Sequence, residues 1–230
     1  MYEFWHESLF FGTLLTLAAY GAGVWVKEKT GSAILNPLLV AIVLTIAFLI
    51  CFGIDYDTYY DGAKYVSYLL TPATVCLAVP LYEQFETMKN NARAVVIGVT
   101  ASVVTSLTVV LILAIIFGLD HAGYVTLLPK SITTAIGMGV TEELEGYVPI
   151  TVAVIILTGI LGNIIAEPVC RIFGIKEPIA KGIAIGSAAH AIGTVKAMEM
   201  GKAEGAMSSL AIVAAGIITV FGASLYAMIL

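Results

Sequence analysis

The sequence predicts an all-α polytopic membrane protein of about seven to eight hydrophobic segments, built as two inverted repeats with broken or re-entrant helices near the midplane. Three observations predict it. Of 230 residues, 60% are hydrophobic and 12% charged, with a mean hydropathy of +0.99, which is more apolar surface than one globular core of this length could hide. Runs free of Asp, Glu, Lys and Arg reach the roughly 20 residues that a bilayer helix requires. Three further segments carry Pro, Gly, Thr, Ser or Lys in mid-run, and hydrocarbon tolerates such breaks only where the backbone is buried in protein or lines a wet cavity.

In chain order, the first apolar run is 8–26. It lacks a basic leader and a small-residue cleavage site, so it is expected to stay as a helix and not to be removed as a signal peptide. The run 31–54 follows, then the interrupted segment 62–82, the long run 94–119, the interrupted segment 124–145, the run 146–166, the interrupted segment 177–200 and the run 205–230. The five long uninterrupted runs are expected to span the membrane, and residues 1–230 form one transmembrane domain. Cys51, Cys76 and Cys170 lie in or near apolar stretches and are expected to be packed thiols, not a disulfide framework.

Lys27 and Lys29, Lys89 and Arg93, and Arg171, Lys176 and Lys181 gather in three connections, which the positive-inside rule assigns to the cytoplasm. The connections with Asp55, Asp57 and Asp61, with Asp120, and with Glu142, Glu143 and Glu145 then lie outside, together with the N-terminus. Both ends of 124–145 face the same side, so that segment must re-enter. Repeat-like halves at about 35–118 and 147–230 come out inverted, and their interrupted segments share Thr74-Val75 and Thr194-Val195. Inverted repeats with broken helices are a secondary-transporter design.

Function is sought at the interruptions. Pro72, within Leu70-Thr71-Pro72-Ala73-Thr74, lacks an amide donor and clashes with the carbonyl four residues back, so the helix should break near Leu69 and expose backbone groups; a plain kink rescued by Thr71 or Thr74 is the other reading. Lys130, Ser131, Thr133 and Thr134 place a cation and three hydroxyls in one turn of the re-entrant segment. A charge at membrane depth points to function, with an anionic substrate or Glu167 as partner; the alternative is a lysine that snorkels to headgroups. Gly182, Gly186, Ala189 and Gly193 make a small-residue helix face, and His190 lies four residues from Thr194. His190 is read either as a substrate donor or proton carrier, or as a hydrogen-bonded packing residue. Lys196 and Glu199 are spaced to pair. Asn163 and Glu167 fall near the end of their span, where Glu167-Pro168 could simply close the helix in water. Trp5, Trp25, Tyr56, Tyr59 and Tyr60 suit interfacial belts. Nucleophile elbows, zinc-ligand spacings and phosphate loops are missing from the sequence, so no enzyme, cofactor, metal or nucleic-acid role is expected.

Asn36-Pro37-Leu38-Leu39, Thr71-Pro72-Ala73-Thr74-Val75 through Pro80-Leu81-Tyr82, Pro129 through Thr134, Leu157-Thr158-Gly159-Ile160-Leu161-Gly162, and His190-Ala191-Ile192-Gly193-Thr194 through Lys196-Ala197 to Glu199 together resemble the LrgB/CidB family over nearly the whole chain. Its members are the larger membrane subunit of antiholin-like and holin-like systems. Ala135 and Ala191 depart from the family pattern, which has proline and glycine there. The resemblance implies a multi-pass protein of a bacterial inner membrane, working with the bilayer and with a small LrgA/CidA-like membrane subunit. It also implies one of two activities: modulation of murein hydrolase activity and cell lysis, or transport of small carboxylates of the pyruvate, glycolate or glycerate type.

Half-helix ends, backbone amides and a cation are what a carboxylate demands, so a carboxylate transporter working by alternating access is the expected function. Its substrate, a small organic anion, is placed at Thr71, Pro72, Ala73, Thr74, Lys130, Ser131, Thr133, Thr134, His190, Gly193 and Thr194. His190, Glu199 and Glu167 are the candidates for a coupling proton, and a homo-oligomer, a dimer, is the expected assembly.

Overall fold

The computed structural model describes residues 10–31, 35–69, 72, 75, 76, 78–83 and 85–230. Among them the chain is helical throughout: α1 Phe11–Thr30, α2 Pro37–Phe52, α3 Tyr56–Ser67, α4 Ala78–Glu83, α5 Phe85–Asn90, α6 Ala92–Phe117, α7 His121–Leu127, α8 Thr134–Glu143, α9 Val148–Ile172, α10 Pro178–Met200 and α11 Lys202–Ala227. The helices α6, α9 and α11 are long and apolar enough to cross a membrane. These are three of the five expected spans. α2 is apolar but, at 16 residues, shorter. Cys170 is buried as expected, whereas Cys51 and Cys76 are exposed.

The chain divides into two compact units, Met1–Cys76 and Leu77–Leu230. In the first, α1 crosses α3 where two glycines face each other: a Cβ on Gly12 would strike the backbone of Tyr59, Gly62 and Ala63, and one on Gly62 would strike Gly12. That approach lets the Thr13 hydroxyl donate to the Gly62 carbonyl (2.6 Å) and brings the hydroxyls of Thr16 and Tyr59 to 2.8 Å. The acidic stretch expected as an outer connection is instead the start of α3. Asp55 caps it by accepting from the Thr58 amide at 3.1 Å, and Asp61 pairs with Lys64 at 3.0 Å; an N-terminal carboxylate suits the helix dipole. α3 ends at Ser67 with a turn at Tyr68 and Leu69, where proline chemistry places the break. Pro72 itself is helical and exposed, and Thr71, Ala73 and Thr74 lie outside the described residues.

Beyond the short helices α4 and α5, the second unit is three long helices and two hairpins. α7 and α8, of 7 and 10 residues, span only about 10 and 15 Å at 1.5 Å per residue, too short to cross a core of about 30 Å. Together they form a hairpin whose two ends adjoin α6 and α9. Three buried threonines hold this first hairpin to α9: Thr151 donates to the Thr126 carbonyl (2.9 Å), its hydroxyl lies 2.9 Å from that of Thr141, and the Tyr147 amide donates to the Thr126 hydroxyl (2.8 Å).

α10 breaks inside the segment 177–200 read as interrupted: His190 sits at φ 42°, ψ −142° and reverses the chain, so Gly182, Gly186, Ala189 and Gly193 do not share one straight helix face. A Cβ on Gly193 would meet the Ala189 side chain and the Ile185 carbonyl; eight residues apart, these would be separated by about 12 Å along a straight helix. Pro178–Ala189 and Ala191–Met200 are therefore the two arms of a second hairpin, which enters from the opposite end of the bundle. Its first arm lies on α11, with Gly182 and Gly186 against the backbone of Glu204 and Ser208, so the small residues serve backbone approach as predicted. α11 then runs the full length of the unit, and the Tyr124 hydroxyl donates to the Tyr226 carbonyl at 3.0 Å.

Candidate functional site

Lys130 stands in the turn between α7 and α8, at the tip of the first hairpin. Its ammonium donates to the Ser131 hydroxyl at 3.0 Å, which lies 3.3 Å from the Ser106 hydroxyl. Ser106 is about 21 Å from the Ala92 end of α6 and about 16 Å from the Phe117 end at 1.5 Å per residue, so Lys130 reaches the middle of the bundle. A lysine snorkelling to headgroups would sit at an end. Among the described residues no carboxylate comes within ion-pair distance of it: Glu167 pairs with Lys196 (3.1 Å) and Arg171 (3.7 Å) instead.

A cavity of about 830 Å³ opens beside this tip. One face of α6 and the first arm of α10 form its walls, from Asn91 and Glu177 at one end to Val109 and Lys130 at mid-depth. The hydroxyls of Ser102, Thr105, Ser106 and Ser131 line it with the Lys130 ammonium. The Ser102 and Ser187 hydroxyls lie 2.8 Å apart, and Ser187 donates to the Ile183 carbonyl at 2.6 Å. α6 thus touches the first hairpin through Ser106 and the second through Ser102, one turn apart on the same face. An ammonium with spare donors among hydroxyls in an apolar groove can hold a small anion by charge-assisted hydrogen bonds.

His190, Gly193 and Thr194 lie in the second hairpin and do not line that cavity. The buried imidazole donates from Nε2 to the Ile155 carbonyl at 2.9 Å, the only role a carbonyl partner allows it. Its ring fills the space over Gly159, and Ala189 fills that over Gly162. Thr194 donates to the His190 carbonyl (2.9 Å), its hydroxyl 2.7 Å from that of Ser208. Asn163 donates its side-chain amide to the Ile192 carbonyl at 3.0 Å, pairing a group that the chain reversal frees.

Thr133 precedes α8 as its N-cap without a side-chain capping bond, and Thr134 opens the helix. Glu167 does not close α9 in water, since α9 continues through Pro168 to Ile172. Lys196 pairs with Glu199 at 3.3 Å as its spacing predicts, and with Glu167 as well. Sequence reasoning missed Ser102, Ser106 and Ser187, which read as ordinary small residues in apolar runs, and the reach of Asn163. A polar residue in mid-run was the available signal.

The family model described as LrgB-like family matches residues 16–229. The chain is 36% identical to the "Antiholin-like protein LrgB" of Bacillus subtilis (strain 168), over 93% of this chain and 93% of that protein. It is also 36% identical to proteins of that name from Bacillus mycoides and Bacillus cereus, over 92% of each chain. No solved structure matches it.

Proposed function

The chain belongs to the LrgB-like family, and on that premise we propose that it is a membrane carrier of small carboxylates, working by alternating access around Lys130. The observation that carries this reading is a mid-depth ammonium without a carboxylate partner among the described residues, facing a hydroxyl-lined cavity. A buried cation is costly unless something neutralises it, and a substrate carboxylate does so while accepting hydrogen bonds from Ser102, Ser106 or Ser131.

The two hairpins supply the gates. They enter from opposite ends and both touch α6 beside the cavity, so release of either opens one side. If the connection holding Arg171, Lys176 and Lys181 is cytoplasmic, the cavity mouth at Asn91 and Glu177 faces the cytoplasm. The span-plus-hairpin units 92–143 and 148–200 are then the inverted pair, a narrower repeat than the halves read from sequence. His190 acts by holding the second tip against α9, and Thr133 and Thr134 by placing the α8 N-terminus at the first tip.

A second reading rests on the name of the Bacillus relatives: an antiholin-like role in which the protein modulates lysis through a small membrane partner. The deciding experiment is uptake of radiolabelled pyruvate and glycolate into proteoliposomes holding this protein alone, with and without a pH gradient, beside Lys130→Ala. Saturable uptake lost in the variant supports the carrier. Folded protein that takes up neither acid sinks the single-chain carrier in favour of the antiholin-like role.

A further inference from the structure

A second cavity, of about 530 Å³, lies at the Ile172 end of the second unit, between the last turn of α9, the 173–177 connection and the base of the second hairpin. Arg171, Lys176, Lys181 and Lys196 line it together with Glu167 and Glu199. Both carboxylates are engaged by Lys196, at 3.1 and 3.3 Å, and Arg171 adds a contact to Glu167 at 3.7 Å. Lys176 and Lys181 have no ion-pair partner among the described residues. Four cations against two carboxylates leave the wall positive.

The cations are presented by a fixed backbone. Gly174 takes φ 63°, the Ile175 amide donates to the Cys170 carbonyl at 2.8 Å and the Gly174 amide to Arg171 at 3.3 Å, which closes α9 in a Schellman-type turn. Helix stability does not account for all the charges: Lys181 lies near the N-terminus of α10 and Glu199 in its last turn, each at the end the helix dipole disfavours.

We propose that this basin binds a phosphate-bearing anion, either the headgroup of an anionic phospholipid or a free phosphoanion, with Lys176, Lys181 and Arg171 as its ligands. Basic pockets between membrane helices on the positive side suit such headgroups. Lys196 couples the site to the fold, because an anion that draws it from Glu167 loosens the second arm of the hairpin from α9. The site stands independently of what the carrier transports.

The test is thermal unfolding of the full chain in detergent. One arm titrates cardiolipin against phosphatidylcholine, and the other titrates sodium pyrophosphate against sodium chloride at matched ionic strength. A saturable rise in midpoint with cardiolipin assigns the lipid source, and one with pyrophosphate assigns the free anion. Lys176→Gln with Lys181→Gln should weaken the apparent affinity about 25-fold, at roughly fivefold per lysine, and the double arginine variant should retain it. Lys27→Gln with Lys29→Gln, outside the basin, should leave it unchanged. The proposal is overturned if cardiolipin does no better than phosphatidylcholine and pyrophosphate no better than chloride, or if the Lys27/Lys29 pair matters as much as the basin pair.

Discussion

Replacement of Asn163 by Leu should weaken the second hairpin specifically. The Asn163 amide donates to the Ile192 carbonyl at 3.0 Å, two residues past the reversal at His190. Leu keeps the same branched shape and number of side-chain heavy atoms, so it can occupy the site, but the carbonyl loses this donor at a site that is partly buried. An orphaned buried acceptor costs about 1–3 kcal/mol, whereas interhelical hydrogen bonds in membrane proteins average nearer 0.6 kcal/mol. Partial burial here argues for about 1–1.5 kcal/mol. Opening of the tip should then be about tenfold more frequent. Hydrogen exchange by mass spectrometry in detergent micelles reads this directly, as faster exchange in peptides covering 190–197 while those in α6 hold their rate. Asn163→Asp should be worse than Leu, since a carboxylate not only lacks a donor but sets its negative charge against the carbonyl oxygen. Leu indistinguishable from wild type, or faster exchange spread evenly over the chain, would refute the claim that Asn163 pins the hairpin.

Four further outcomes are expected. Lys130→Met should abolish carboxylate uptake without lowering the unfolding midpoint, because it removes a partly buried charge along with a single bond to Ser131; at about 4 Å and an effective dielectric near 20, the lost attraction to a carboxylate is about 4 kcal/mol, close to a thousandfold in affinity. Gly159→Ala places a methyl group against the His190 ring and Ile192 and should cost about 1–3 kcal/mol in a denaturant titration. Thr151→Val empties the hydroxyl that joins Thr126 and Thr141 and should cost about 1–2 kcal/mol, with Thr151→Ser recovering most of it. Glu167→Gln should change stability by less than about 1 kcal/mol, and the difference should shrink at high salt, because half of that side chain is exposed.

The long helices were legible because their cause is local. Residues 94–119, 146–166 and 205–230 are uninterrupted apolar runs, and α6, α9 and α11 fall on them within a few residues. That 124–145 is interrupted was legible in its mid-run Pro129, Lys130 and glycines, and it falls on the two short helices α7 and α8. The second hairpin was legible only as an interruption of 177–200 near His190 to Thr194. That the interruption is a full reversal depends on His190 adopting φ 42°, which the chain sustains because α9 holds the ring and pairs Ile192.

By itself the sequence determined the solvent, the helical class, the family motifs, and that Lys130 would be the charge to explain. These follow from composition and from chemistry within one turn of chain. Tertiary structure alone decided that Glu167 belongs to Lys196 and not to Lys130, that His190 turns inward to a backbone carbonyl, and that serines on α6 meet both hairpins. The reason is physical: in a membrane bundle the backbone groups freed by a break must be satisfied by whichever helix packs beside it, and the identity of that neighbour is not encoded in spacing along one segment.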